Sequence, residues 1–179
     1  LADSSFANPH GLTAEGHYTT ARELAIITSH ALKDPALKEI MGTQRATISH
    51  SGEKGVRLLI NHNKLLRMYD GANGVKTGYT KRSGRCLVSS AERDGLTLIA
   101  VTLNDPRDWK DHASLLDMGF EYFESALISE ASNIAERIYL SGGSEAYVTA
   151  TNTSDTRVPL PRSRESVYNR GIEREPEDG

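Results

Sequence analysis

Apolar positions along the chain keep two different rhythms. Leu24, Ile27 and Ala31, with Ala25, Ile26 and Leu32 beside them, recur at helical spacing. They predict a helix over about 21–33 with one apolar face. Thr20 and Glu23 frame its start as a capping box, in which Thr20 accepts from a free backbone N–H and Glu23 reaches back. Asp34-Pro35 opens a second, short helix to about Met41, since Asp caps well and Pro is tolerated at the first helical position. Gly42 closes it. Upstream, residues 1–19 read as loop, with Asn8-Pro9-His10-Gly11 as a structural turn.

From residue 47 the rhythm turns β-like. Thr47-Ile48 and Val56 to Ile60 flank the turn Ser51-Gly52-Glu53-Lys54-Gly55 and read as a hairpin. Residues 61–68 form a connector and 75–80 a strand. Residues 86–91 and 96–101 flank Arg93-Asp94-Gly95, and Asp-Gly between two β-rich runs is a strong hairpin signature. Asp108 is placed to cap a helix over about 109–124, with Trp109, Leu115, Leu116, Phe120 and Phe123 among its apolar positions. Short strands are predicted over 134–140, 146–151 and 156–160, split by Ser141-Gly142-Gly143 and Asn152-Thr153-Ser154-Asp155. A domain boundary is placed near 124–130, dividing the chain into 1–124 and 125–179. The tail beyond Val167 is charged, poor in apolar residues and expected to be flexible.

Composition narrows the class. The chain has 179 residues, 37% hydrophobic and 25% charged, which fits a globular protein with a core and excludes collagen-like or low-complexity chains. No run approaches the roughly 18 consecutive apolar residues of a membrane span. The formal charge is −3, without the basic excess of a nucleic-acid binder, so no nucleic-acid partner is expected. Cys86 is the one cysteine, so no internal disulfide forms. The chain opens Leu1-Ala2-Asp3, without Met, basic n-region or apolar h-region, and is read as a fragment or processed product.

The chemistry concentrates at Lys76-Thr77-Gly78. Side chains alternate along a strand, so Lys76 and Gly78 share one face and Thr77 takes the other. Lys76 offers a positive charge and Thr77 a hydroxyl, groups suited to a terminal carboxylate. A glycine on the lysine's face leaves room for a ligand to approach the backbone. Alternation keeps Lys76 and Thr77 apart unless the strand lies at a twisted sheet edge, where an extended peptide can pair with it. The backbone N–H of Tyr79 is placed to serve an oxyanion hole.

Several segments carry a family resemblance in order: Phe6-Ala7-Asn8-Pro9-His10-Gly11-Leu12, Tyr18-Thr19-Thr20-Ala21-Arg22-Glu23-Leu24-Ala25, and Asn61-His62-Asn63-Lys64-Leu65-Leu66. Gly71-Ala72-Asn73-Gly74-Val75-Lys76-Thr77-Gly78-Tyr79-Thr80, Gly84-Arg85-Cys86-Leu87-Val88-Ser89-Ser90-Ala91 and Asp117-Met118-Gly119-Phe120 follow. Over about 5–124 the chain resembles the low-molecular-mass penicillin-binding proteins, the serine D-alanyl-D-alanine carboxypeptidases. Lys76-Thr77-Gly78 looks like the third motif of penicillin-recognising enzymes.

The resemblance implies an α+β fold: an antiparallel sheet with flanking helices, part of a β-lactamase/transpeptidase-like domain, followed by a truncated small all-β domain. It implies removal of the terminal D-Ala from peptidoglycan stem peptides ending in D-Ala-D-Ala, with β-lactams as substrate mimics, in the bacterial cell envelope. Lys76 and Thr77 would hold the terminal carboxylate and the Tyr79 N–H the oxyanion, with no cofactor or metal.

The chain departs from the family in its catalytic residues. It contains no Ser-x-Asn, and its one Ser-x-x-Lys, Ser51-Gly52-Glu53-Lys54, comes after the first landmarks and is flanked by glycines that disfavour a helix. Ser51 is therefore read as part of a turn, and no catalytic residue is assigned.

The remaining candidates weigh toward structure. His10, His17, His30, His50, His62 and His112 show no i, i+4 pairing, so no zinc site is expected. His62, between Asn61 and Asn63, is a possible substrate contact. His112 is expected to be solvated, Cys86 to be a buried structural thiol, and Phe120, Tyr122 and Phe123 to be core. Arg162, Arg164 and Arg170 read as a modest basic patch. The rivals are a β-lactamase-related hydrolase, disfavoured by the strands after 125, and a non-catalytic cell-wall-binding module.

Overall fold

The computed structural model describes residues 1–49, 55–133, 135–139, 141 and 146–162. The Ser51–Lys54 turn, His50, Arg164, Arg170, Gly142, Gly143 and the charged tail lie outside the described residues.

Helix α1 (Ala21–Ala31) starts at Thr20, whose hydroxyl accepts the Glu23 N–H at 3.2 Å. Glu23 does not reach back as the capping box predicts. Its carboxylate accepts the N–H groups of Ala2 and Asp3 at 2.7 and 3.0 Å and the Ser4 hydroxyl, tying the first residues to the helix. Those donors, Ser4 foremost, hold the carboxyl below its ordinary 4.5. Helix α2 (Pro35–Gly42) is capped as expected, with Asp34 accepting from Ala36 and Leu37. The Asn8 side chain closes its turn by accepting the Gly11 N–H at 2.8 Å.

Strands β1 (Arg45–Ser49) and β2 (Val56–Ile60) form an exposed antiparallel pair. The connector holds a single helical turn, α3 (Leu65–Met68), with Leu65 and Leu66 buried. The main sheet is antiparallel, in the order β3 (Ala72–Thr80), β4 (Gly84–Arg93), β5 (Leu96–Thr102). Asp94 and Gly95 both take positive φ, 50° and 76°, the conformation a tight two-residue hairpin turn requires.

Strand β4 is central, and Leu87 to Ala91 are buried on both faces. Register aligns Leu87, Ser89 and Ala91 with Thr102, Ala100 and Leu98. Helix α4 (Asp108–Tyr122) packs on that face, and Ala91, Ala100 and Leu116 form a core with Tyr69, Leu98 and Phe120 against it. Gly119 makes the approach possible, since a Cβ there would lie 2.6 Å from Leu98 Cδ1. On the opposite face a Cβ at Gly74 would meet Ser90 Oγ at 3.1 Å and Met41 of α2 at 3.6 Å.

Several expectations about α4 fail. Its buried positions are Asp108, His112 and Leu116, an i, i+4 stripe whose first two members are polar. His112 is therefore 0% exposed rather than solvated, hydrogen-bonded to Ser89 Oγ at 2.6 Å and to Thr102 Oγ1 at 3.0 Å. Phe120 packs on the core, but Tyr122 and Phe123 are exposed. The helix also stops at Tyr122, because the chain passes directly into strand β6 (Phe123–Ser129), which the sequence reading missed. Strands β7 (Ala135–Tyr139), β8 (Tyr147–Thr151) and β9 (Thr156–Pro161) fall where predicted. They pair antiparallel as β6–β9 and β7–β8.

Burial pushes the His112 imidazole below its ordinary 6.5, against the pull of Asp108, Asp105 and Asp111. Unfolding restores the ordinary value, so as pH falls through 6.5 the unfolded chain takes up the proton first and folding loses stability; above that pH the group costs nothing. Denaturant titrations from about pH 7.5 to about pH 5.5 should show stability falling more steeply in the parent than in His112→Gln. Parallel slopes would remove His112 from this role.

Candidate functional site

Strand β3 is the edge of its sheet. Its inner side is laddered to β4, pairing Lys76 with Val88, Thr77 with Leu87, Gly78 with Cys86 and Tyr79 with Arg85. Its outer side has no strand partner among the described residues, which leaves alternate backbone groups without ladder bonds. A groove of about 560 Å³ is lined by β3, by Arg85 and Cys86 of β4, by the segment after β2 and by the start of α4. Lys76, Thr77, Gly78 and Tyr79 line one bank, and His62 lines the groove with them. Lys76 and Thr77 alternate along the strand, and both line this one groove.

Lys76 is exposed, and its Nζ donates to the Thr77 carbonyl at 2.7 Å, so the ammonium lies against the strand's own backbone. The backbone does not demand glycine at Gly78: a Cβ there would be in ordinary contact with Cys86 at 3.8 Å. A side chain at that position would instead fill space on the strand's surface.

The facing bank is the segment after β2, and two asparagines fix it. Asn61 Nδ2 donates to the Met41 and Thr43 carbonyls at 3.3 and 3.1 Å, and its Oδ1 accepts the Asn63 N–H at 2.9 Å. Asn63, 1% exposed, donates from Nδ2 to the Gly74 carbonyl at 2.7 Å and accepts the Leu65 N–H at 3.1 Å. His62 projects between these anchors, exposed to the groove. Lys64 and Arg67 line the same bank.

The sequence reading missed the groove's far end. Asp108 does not act as the cap of α4: that position is Arg107, without a side-chain cap bond. The Asp108 carboxylate accepts from Arg85 Nε and Nη2 at 2.8–3.1 Å and from the Trp109 N–H at 2.9 Å. Asp108 is 4% exposed in its side chain and Arg85 42%, so the guanidinium looks outward from a buried anion. Arg85 Cζ also lies 5.7 Å from the Trp109 ring centre. Residues 85 and 108 are far apart in sequence, and nothing local announces the pair. Cys86 is not the buried thiol expected; half-buried, it lines the groove and its Sγ contacts the Ser83 carbonyl at 3.6 Å.

Residues 1–107 match the family described as D-alanyl-D-alanine carboxypeptidase. The chain is 30% identical over 156 residues to the D-alanyl-D-alanine carboxypeptidase DacF of Bacillus subtilis, covering 86% of this chain and 40% of the relative. Penicillin binding protein 5 of Haemophilus influenzae superposes with a TM-score of 0.67 at 27% identity, over 90% of this chain and 47% of that one. The D-alanyl-D-alanine carboxypeptidase of Mycobacterium tuberculosis gives 0.60 at 30% identity, over 66% and 47%. The chain thus spans about two fifths of the curated relative's length and about half of the solved structures.

Replacing Asn63→Ala leaves the Gly74 carbonyl and the Leu65 N–H without their partner in a buried place. The expected cost is about 1–3 kcal/mol of folding stability, read from the midpoint of a urea titration. A loss below about 0.5 kcal/mol, the ordinary surface range, would show that the asparagine does not pin the facing bank to β3.

Proposed function

Because the chain belongs to the D-alanyl-D-alanine carboxypeptidase family, we propose that the β3 groove is the carboxylate-holding part of an active site that trims terminal D-Ala from peptidoglycan stem peptides. One observation carries the reading: Lys76 and Thr77, from opposite faces of an edge strand, line a single groove. An ammonium and a hydroxyl there suit the free carboxylate of a peptide lying along the strand. The extended ligand adds as a further strand, and Gly78 keeps its path clear. The Tyr79 N–H takes the developing oxyanion, and His62 touches the ligand from the facing bank.

The reaction is acyl transfer. A serine oxygen forms a bond to the carbonyl carbon between the two D-alanines, the C–N bond breaks, and D-Ala leaves with a proton on its amine. Water then cleaves the ester and frees the serine. β-Lactams enter as mimics of the same peptide. This chain supplies the electrostatic and positioning part, not the nucleophile: it has no Ser-x-Asn, and Ser51-Gly52-Glu53-Lys54 is its one Ser-x-x-Lys. The setting is the bacterial cell envelope, outside the cytoplasm; among the described residues no helix is long and apolar enough to cross a membrane. The β6–β9 and β7–β8 pairs share no strand with the main sheet. This supports reading 125–179 as the start of a separate β-rich domain after the catalytic part, 1–124.

Calorimetric titration of this chain tests the site. An N-acetylated peptide ending in D-Ala-D-Ala should bind about tenfold more tightly than its C-terminal amide, the worth of one charge-assisted contact. Lys76→Ala should abolish the difference; equal binding of acid and amide by the parent would end the reading. Fluorescent penicillin should leave no covalent band on this chain alone. A band would show that a nucleophile is present after all.

A further inference from the structure

A second cavity, of about 600 Å³, lies between the N-terminal loop and the turn that joins β3 to β4. Thr13, Glu15, His17 and Tyr18 line it from the loop, and Arg82 and Ser83 from the turn. It shares no lining residue with the β3 groove, and Thr80 and Lys81 separate the two along the chain. Its loop wall is tied down. Ser5 and Tyr18 exchange backbone hydrogen bonds at 2.9 and 3.0 Å, and His17 Nδ1 accepts the Ala7 N–H at 3.0 Å. The Thr13 hydroxyl donates to Thr80 Oγ1 of β3 at 3.3 Å, joining the loop to the strand.

The lining is polar, and its fixed charges balance. One carboxylate, Glu15, stands against one guanidinium, Arg82, and neither has an ion-pair partner among the described residues. A strongly charged ligand therefore meets no excess of opposite charge here. The Tyr18 side chain is exposed, and the Thr13 and Ser83 hydroxyls line the same space. An open aromatic face beside hydroxyls, a planar acceptor and a planar donor suits a neutral ligand that combines apolar ring faces with many hydroxyl and amide groups. That is the chemistry of a saccharide. The volume falls within the roughly 300–1,000 Å³ of small-molecule sites.

Position favours the same ligand. With the terminal carboxylate at Lys76 and Thr77 and the scissile carbonyl at the Tyr79 N–H, the preceding residues of a stem peptide run past Thr80 toward the turn. Arg82 follows Tyr79 by three residues, at most about 10 Å of chain at roughly 3.3 Å per residue, so a few peptide residues bridge groove and cavity. We infer that the cavity is a saccharide site, which takes the amino sugar of the wall glycan that bears the stem peptide. Tyr18 packs on a face of the sugar, and Glu15, Arg82 and Ser83 bond its hydroxyl and amide groups. This rests on the reading above and adds a non-peptide part of the ligand to it. The chain thereby favours peptide still attached to its sugar over free peptide.

The test titrates this chain by calorimetry with two probes, N-acetylmuramoyl-L-Ala-D-isoGln-L-Lys-D-Ala-D-Ala and Ac-L-Ala-D-isoGln-L-Lys-D-Ala-D-Ala, which differ in the sugar. The sugar-bearing probe should bind about 5–10-fold more tightly, the worth of one or two added hydrogen bonds. The double variant Tyr18→Ser/Arg82→Ala should bring the ratio near one and leave the affinity for the bare peptide unchanged. Arg82→Ala alone, on an exposed turn, keeps the test open should the double variant not fold, and it should lower the ratio by about 2–3-fold. Equal binding of the two probes by the parent overturns this inference and leaves the Lys76 assignment standing. A ratio that the substitutions do not lower overturns it as well, placing the sugar elsewhere. Binding of neither probe overturns both readings.

Discussion

The structure turns on one unpaired strand edge. Strand β3 is laddered to β4 on its inner side, while its outer side is left without a strand partner among the described residues. An exposed edge ordinarily invites pairing with other chains. Here it is faced, across a groove, by the segment after β2 rather than covered by it. That arrangement leaves free backbone groups beside Lys76 and Thr77, the condition for reading an extended peptide by its main chain.

The groove's two banks are held by different means. The β3 bank is rigid through its ladder to β4, whose middle is buried on both faces. The facing bank has little regular structure and depends on side-chain to backbone bonds, above all from Asn61 and Asn63. At the far end, Arg85 from β4 and Asp108 from α4 join sheet to helix. One turn along, His112 ties the same helix to Ser89 and Thr102. The polar stripe of α4 thus continues from the core to the groove wall. Every buried side-chain polar atom among the described residues has a hydrogen-bond partner, as burial of so many polar groups demands.

Charge is distributed unevenly over this frame. Carboxylates predominate across the chain, yet the groove's lining is basic with one neutralised exception. A cleft lined by one sign of charge raises the local concentration of oppositely charged ligands and speeds their capture. Peptide recognition at the edge and electrostatic capture in the cleft therefore act on the same ligand.

Much of this was legible without coordinates. Helical periodicity fixed α1, Asp34-Pro35 fixed α2, and Asp94-Gly95 fixed the β4–β5 hairpin, because each depends on neighbours close in sequence. Lys76-Thr77-Gly78 declared its chemistry for the same reason. Strand β6 escaped notice because its partner, β9, lies some thirty residues away, and α4 misled because polar letters occupy its sheet-facing stripe. Whether Lys76 and Thr77 could work together depended on which strand lay at the edge. The facing Lys64 and Arg67, the Arg85–Asp108 pair and the burial of His112 likewise depended on chain segments brought together across long separations. Local sequence sets torsions, caps and turns; only packing sets which side chains share a cavity.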